Sequence, residues 1–379
     1  MYTDEKIAKV EGFALSSQYG DGKVFGQPKG KKSIGFIEIT SESGVKGFGE
    51  AYCGIYSPEL MKPIVDFLSS YLVGKSLNNL SFFNEIDMIP FIGYTGIIQG
   101  VRIGIELAVM DLIGKITEKP VHELFSVNEK KKEIKCYYSG GSVIFNTDEI
   151  KADIENLYNL GFEAFKMRVG YQSWRDDLDR VNTASLLMNK DDLMVDAIMG
   201  TLKNKWKLSE ASNKIIDLEK FKIRWIEEPL CPTNLIEHKK LKEISKIPIA
   251  IGEAYSGNIN FDTIISLQAA DIVQIDATNS MGYNKLLDFS IKNEVEQATH
   301  VWGSSLSFIA NAHLSCLSKN IKYLEYPSIS FKVSEEILEE KININNGKYI
   351  LNNYPGFGIN ITRSVKEKFK YEQNSGYKL

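Results

Sequence analysis

Short, unbroken apolar runs recur through most of this chain, each separated from the next by sequence of helical periodicity. From Ile134 onward the order is IKCYYS, a helix over 147–160, FEAFKM, a helix near 174–188, and DLMVD; then come KIRWIEE, IPIAIGE, DIVQID, VEQATH and KYLEY. The runs are too short for helices and lack the alternation of a half-solvated strand, so they predict strands buried on both faces. Eight such strands, ending near Tyr138, Met167, Asp196, Glu227, Gly252, Asp276, His300 and Glu325, predict an α/β barrel. The first ~125 residues read differently. GFIEITSESGVKGFGEAY alternates around a Ser43-Gly44 turn, which predicts a hairpin in an antiparallel sheet, and GVRIGIELAVMDLIGKI repeats its apolar positions at three and four. The expected organisation is an α+β domain over 1–125, a barrel over 126–330, and a segment over 331–379 in which NGKYILNNYPGFGINI returns to pack on the first domain.

A chain of 379 residues is long enough for a large barrel plus a second domain. Its net charge of −4, with lysines scattered throughout, offers no basic stripe for nucleic acid. No apolar stretch approaches the roughly 18 to 20 residues of a membrane helix, and the opening MYTDEKIAKVEG lacks a signal-peptide core, so a cytoplasmic protein is expected. Cys53, Cys136, Cys231 and Cys316 are widely spaced without a CxxC pair and read as packing residues.

The chemistry lies at the strand ends. LMVD, RWIE and IAIGE finish on Asp196, Glu227 and Glu253, separated by 31 and 26 residues, about one strand-plus-helix unit each. One such acid alone could be a helix cap or a loop salt bridge. Three in phase should converge at the barrel mouth, where their repulsion would drive protonation unless a cation lay between them. Mg²⁺ suits hard oxygen ligands and keeps positions open for substrate and water.

The same rim carries Lys166 and Arg168 on the second strand, Asp276 on the sixth, His300 on the seventh and Glu325 on the eighth. Asp276 lies beside His300 at the same level and can fix its tautomer, making the pair a candidate general base. His122 and His313 fall in helix-like sequence and His238 in the surface-like run EHKKLKE, with no such pairing in prospect. A metal beside a base suggests abstraction of a proton next to a carboxylate, whose enolate dianion needs cationic groups placed in advance. Lys166 and Arg168 would face that charge on one side, with His300 on the opposite face of the substrate; Glu325, if protonated, could donate a hydrogen bond.

The segments FKMRVG, MVDA, WIEEPL, IPIAIGEAYSG, ADIVQIDATNSMG, THVWGSSLS and YLEY resemble, in order and spacing, the barrel motifs of the enolase superfamily, mandelate racemase branch. GIELAVMDLIGKITEKPVHELF is similar to that family's junction between capping domain and barrel, and YPGFGINI to its C-terminal segment. The resemblance covers nearly the whole chain. It implies a modified TIM barrel, (β/α)7β, under an N-terminal capping domain. It also implies Asp196, Glu227 and Glu253 as Mg²⁺ ligands, with Glu228 behind them. Asp276 and His300 would be the catalytic dyad, and Lys166 and Glu325 would hold and polarise the substrate carboxylate. Arg168 stands where many relatives have a second lysine, and a guanidinium is a poor proton acceptor, so the site reads as one-sided. That favours dehydration of a sugar acid to a 2-keto-3-deoxy acid. An epimerase or racemase, or a lactone cycloisomerase, sharing the enolate is the alternative, and a ligand-binding barrel without catalysis a third. Ile198 stands where relatives often carry Asn, which removes a contact to the substrate α-hydroxyl. Loops of the capping domain over 16–27 and 53–58 would close as a lid, bringing Tyr19, Lys23, Phe25, Tyr52 and Tyr56; Tyr19, Tyr56 and Tyr138 are expected against the substrate. A symmetric homo-oligomer is expected.

Overall fold

A computed structural model describes residues 3–20, 25, 30–189 and 191–377. Strands β1 (Ile7–Gln18), β2 (Lys31–Ser41) and β3 (Lys46–Ala51) form an antiparallel sheet in that order, with Ser43 and Gly44 in the turn between β2 and β3. The helix Gly96–Ile116 lies against β3. At Gly49 a Cβ would come within 1.9 Å of the Gly104 carbonyl, so the backbones touch and no larger residue fits.

Eight parallel strands follow in sequence order: β4 (Glu133–Ser139), β5 (Phe165–Arg168), β6 (Leu193–Asp196), β7 (Ile226–Glu227), β8 (Ile249–Ile251), β9 (Ile272–Ile275), β10 (Glu296–Thr299) and β11 (Ile321–Pro327). Pairing of β11 with β4 closes the barrel, as the spacing of apolar runs predicts. A hairpin of β12 (Ile344–Asn345) and β13 (Lys348–Ile350) adds antiparallel to β4. Beyond it, Phe357 N–H donates to Asp111 in the helix Gly96–Ile116 (2.8 Å).

Tyr137, Ala164, Met194, Trp225, Ala250, Ile272, Ala298 and Tyr323, each in one of the eight strands or immediately before it, pack together as a buried cluster. Side chains on a strand repeat their direction every second residue. The residues two further on from six of these are Ser139, Lys166, Asp196, Glu227, His300 and Glu325. The barrel's own apolar floor thus aims the candidate chemistry at one rim.

Hydrogen bonds dock the N-terminal sheet and its helix onto the loops at that rim. The Glu50 carboxylate accepts the N–H of Ser304 (3.1 Å) and its hydroxyl, at the start of the helix Ser305–Leu317. Glu106 accepts both N–H groups of Asn284 (3.0 Å), and Asp87 pairs with Lys285 (2.7 Å).

One expectation about histidine is corrected. His238, read as a surface residue, is wholly buried on the inner face of the helix Leu235–Ile244, because its polar run presents one residue per turn inward. His122 and His313 lie in helical segments and are buried, Nδ1 to Nδ1 at 3.1 Å. Burial depresses the His238 pKa to about 4 from 6.5. Between those values the unfolded chain binds the extra proton, so stability falls as the pH drops from 6.5 towards 4. His238→Leu should therefore flatten the loss in urea midpoint between pH 7 and pH 5, relative to the parent protein. A parent-like slope in the variant would show that this imidazole is not the acid-sensitive group.

Candidate active site

Asp196 and Glu227 are the last residues of β6 and β7, and Glu253 follows β8. Glu253 lies three residues beyond the inward Ala250, out of phase with the strand. Gly252 between them corrects the phase: its φ of +149° is open to glycine, and a Cβ there would lie 1.9 Å from the Gln274 carbonyl. One oxygen from each of the three carboxylates lies within 4.8 Å of the others. Burial, then Glu227, pushes the Asp196 carboxyl up to about 7 against the pull of Lys166 and Arg168. Burial and the neighbouring acids Glu228, Glu227 and Asp196 push Glu253 well above the carboxylate range, and burial with Asp196 and Glu227 carries Glu228 to about 8. A set of acids that cannot all ionise alone is what a divalent cation would relieve. The hard oxygens and their spacing fit such an ion.

Ile198 helps to aim Asp196. Its N–H donates to Asp196 Oδ1 at 2.8 Å, from a backbone with φ +44°, where a β-branched residue is strained. Glu228 also has positive φ, +43°; its Oε2 accepts the Gly200 N–H at 3.2 Å, and it lies behind the three acids.

Lys166 is fully buried, with Nζ 2.8 Å from Glu227, 2.7 Å from Glu325 and 3.8 Å from Asp196. Burial alone would discharge it, but Glu227 and Glu325 outweigh burial and keep it cationic. Burial would likewise raise Glu325, yet Lys166 and His300 hold it down at about 2. Its oxygens accept from Lys166 and from the Val301 N–H (2.7 Å). Both Glu325 oxygens thus accept a hydrogen bond in this arrangement.

His300 Nδ1 lies 2.9 Å from Asp276 Oδ2. A carboxylate accepts only, so Nδ1 carries a proton and Nε2 is the nitrogen left to exchange one with a substrate. Nε2 faces the acids, 3.5 Å from Glu253. Asp276 is itself held: its Oδ1 accepts from the Thr278 N–H (2.8 Å), the Thr278 hydroxyl (2.7 Å) and Asn311 Nδ2 (3.2 Å). Thr278 and Asn311 were not foreseen; the TNS turn after the sixth strand was a usable signal, whereas Asn311, inside a helix, gave none.

Arg168 donates to the Gly140 carbonyl (2.8 Å) and Ser139 Oγ (2.9 Å), with Nε 3.8 Å from Asp196. Arg168, Asp196, Glu253 and His300 open into a cavity of about 370 Å³ lined also by Tyr19, Tyr56 and Tyr138. The Tyr19 hydroxyl accepts from Trp302 Nε1 (3.1 Å), and the Tyr138 hydroxyl donates to Asp153 (3.1 Å). Of the two expected lid segments, Ser16–Gln18 is strand, because β1 pairs there with Lys31–Ser33; Phe25 lines the cavity, and Lys23 lies outside the described residues. In the other segment, a 3-10 turn over Tyr52–Ile55 brings the Tyr52 ring to 5.5 Å from His300. No helix among the described residues is long and apolar enough to cross a membrane.

Comparison with known proteins agrees with this geometry. The Enolase C-terminal domain-like model matches residues 149–365, and the Mandelate racemase / muconate lactonizing enzyme N-terminal domain model matches residues 26–126. Arabinonate dehydratase of Saccharolobus solfataricus is 27% identical, over 88% of this chain and 89% of its own. L-talarate/galactarate dehydratase of Salmonella typhimurium is 24% identical, over 93% and 87%. The 3,6-anhydro-D-galactonate cycloisomerase structure from Zobellia galactanivorans superposes with a TM-score of 0.83 at 24% identity, covering 97% of this chain and 100% of that one. Since the first of these models alone spans more than half of the residues, the chain belongs to the enolase superfamily, in its mandelate racemase and muconate lactonizing enzyme family.

Proposed function

We propose that this protein is a Mg²⁺-dependent hydro-lyase that removes the α-proton of a sugar acid and expels its β-hydroxyl, giving a 2-keto-3-deoxy acid and water. The observation that carries the reading is the His300 imidazole, held through Nδ1 by Asp276 with its Nε2 facing the acids, where Lys166 is also placed. Asp196, Glu227 and Glu253 would hold the cation, which when bound offsets the second negative charge of the enolate. Lys166 and Arg168 supply further positive charge in a water-poor site, where it acts most strongly. His300 takes the α-proton through Nε2, and Asp276 stabilises the imidazolium so formed. The electron pair of the C–H bond becomes the enolate. As that pair returns to form the Cα–Cβ double bond, the Cβ–O bond breaks and the imidazolium proton leaves with the hydroxyl as water. The resulting enol tautomerises to the keto acid. The curated relatives named as arabinonate and talarate/galactarate dehydratases support this reading.

Epimerisation would need a second base on the far face. Arg168 is tied to Gly140 and Ser139 and keeps its proton at working pH, so exchange is expected from one face only. In D₂O, an acid-sugar panel should yield keto acid detectable with semicarbazide, while unreacted substrate is recovered without its α-epimer. Epimer appearing as fast as keto acid would replace this reading with an isomerase.

A further inference from the structure

A misplacement of about 1 Å can cost a reaction roughly 100-fold, so the proposed base must be held firmly. Yet the stretch from His300 to Ser304 is neither helix nor strand. Backbone groups in such a stretch depend on side chains or neighbouring strands for their hydrogen bonds. Barrel partners hold its first half: the His300 N–H donates to the Ile275 carbonyl (2.8 Å), Asn311 Nδ2 to the His300 carbonyl (3.4 Å) and the Val301 N–H to Glu325 (2.7 Å). The N-terminal sheet holds the second half. Lys32, in β2, donates from Nζ to the Trp302 carbonyl, and Glu50, in β3, accepts the N–H and the hydroxyl of Ser304.

Both of these groups are taken out of water, Lys32 being 1% exposed and Glu50 0%. Lys32 Nζ lies 4.4 Å from the centroid of the Trp302 ring and 4.6 Å from that of Tyr19, close enough for cation–π attraction to both. Gly303 makes room for the carboxylate, since a Cβ there would lie 1.9 Å from Glu50 Oε1. Burial pushes the Lys32 amine down to about 7 against the pull of Glu50. It pushes the Glu50 carboxyl up to about 7 against the Ser304 hydrogen bonds and the pull of Lys32. A buried amine is costly unless it is hydrogen-bonded, and this one directs its bond to main chain two residues beyond His300.

We infer, resting on the proposed function, that Lys32 is a positioning residue: with Glu50 it clamps Trp302–Ser304, so that the N-terminal sheet and the barrel together fix where His300 Nε2 meets the substrate α-carbon. In this role Lys32 acts through the main chain that carries the base, not on the substrate. The N-terminal domain thereby supplies the second anchor of the general base.

Lys32→Met keeps an unbranched side chain of similar bulk and removes the amine. In full-length, Mg²⁺-loaded protein, kcat for keto-acid formation should fall about 100-fold with KM changed by less than about threefold, while the Mg²⁺-dependent rise in Tm persists. Glu50→Gln, which removes the charge and keeps the shape, should lower kcat about tenfold with the same split, the scale of one weakened charge-assisted hydrogen bond, and it decides the matter if Lys32→Met does not fold. Parent-like kcat in the variants overturns the inference, and so does a loss carried by KM alone, which would make Lys32 a support for the cavity wall. Crystal structures of the parent and of the variants give a readout apart from turnover. His300 Nε2 should shift by about 1 Å, or the 302–304 main chain should lose its single position, in the variants; a superimposable loop overturns the inference. Should the parent turn over no acid sugar, the hydro-lyase reading falls, and the crystal comparison alone then decides whether Lys32 holds the loop of His300.

Discussion

His300→Asn should give a folded, Mg²⁺-binding protein whose keto-acid production falls by at least about 10³-fold, near the upper range for loss of a general base. Asparagine keeps the bulk at the rim and can still donate to Asp276, so the buried carboxylate keeps a partner. What disappears is Nε2, the nitrogen proposed to take the α-proton. The loss should fall on kcat, with KM little affected, because the imidazole acts on the reacting hydrogen and does not grip the carboxylate. Activity within about tenfold of the parent would assign the proton transfer elsewhere, since a base worth so little is not the base.

The second large effect concerns the three acids. Without a cation, Asp196 has its pKa raised to about 7 from 3.8, so the folded protein holds a proton that the unfolded chain releases over that range. Metal-free protein should therefore lose stability as the pH rises from 4 to 7. Mg²⁺ at about 100 times its Kd should add roughly 2.7 kcal/mol by mass action and flatten the decline. Asp196→Asn should abolish the Mg²⁺-dependent rise in Tm and reduce turnover to background, while its metal-free form should be no less stable than the parent at pH 8. Chelation of the parent with EDTA should stop turnover, and added Mg²⁺ should restore it. A Mg²⁺ response equal to the parent's in Asp196→Asn would place the cation away from these acids.

Much of this was legible in the chain because barrel strands buried on both faces leave a plain signature, and because period two carries a known inward residue to the next. Lys166, Asp196, Glu227, His300 and Glu325 each follow their strand's floor residue by two positions. Glu253 also ended an apolar run, but its place in the site depends on Gly252, whose backbone conformation no periodicity shows. The pairing of Glu325 was hidden because its partner is a lysine 159 residues away in sequence, brought to 2.7 Å only by barrel closure. Burial of His238 was missed for a related reason: a run of lysines and glutamates masks the one helical position per turn that faces inward. Tyr377 had no readable signal, since its place in the cavity wall depends on where a tail without regular structure is pinned through Ser375 by Ser16 and Ser33.

The proposed reaction requires one divalent cation held by these three carboxylates beside the His300 imidazole. Anomalous diffraction from crystals grown with manganese as the stand-in for magnesium would locate that ion. The prediction is a single strong peak within about 2.3 Å of an oxygen from each of Asp196, Glu227 and Glu253, with His300 Nε2 facing it across an open cavity. Absence of a peak there at saturating metal, or a peak bound to other residues, would contradict the claim.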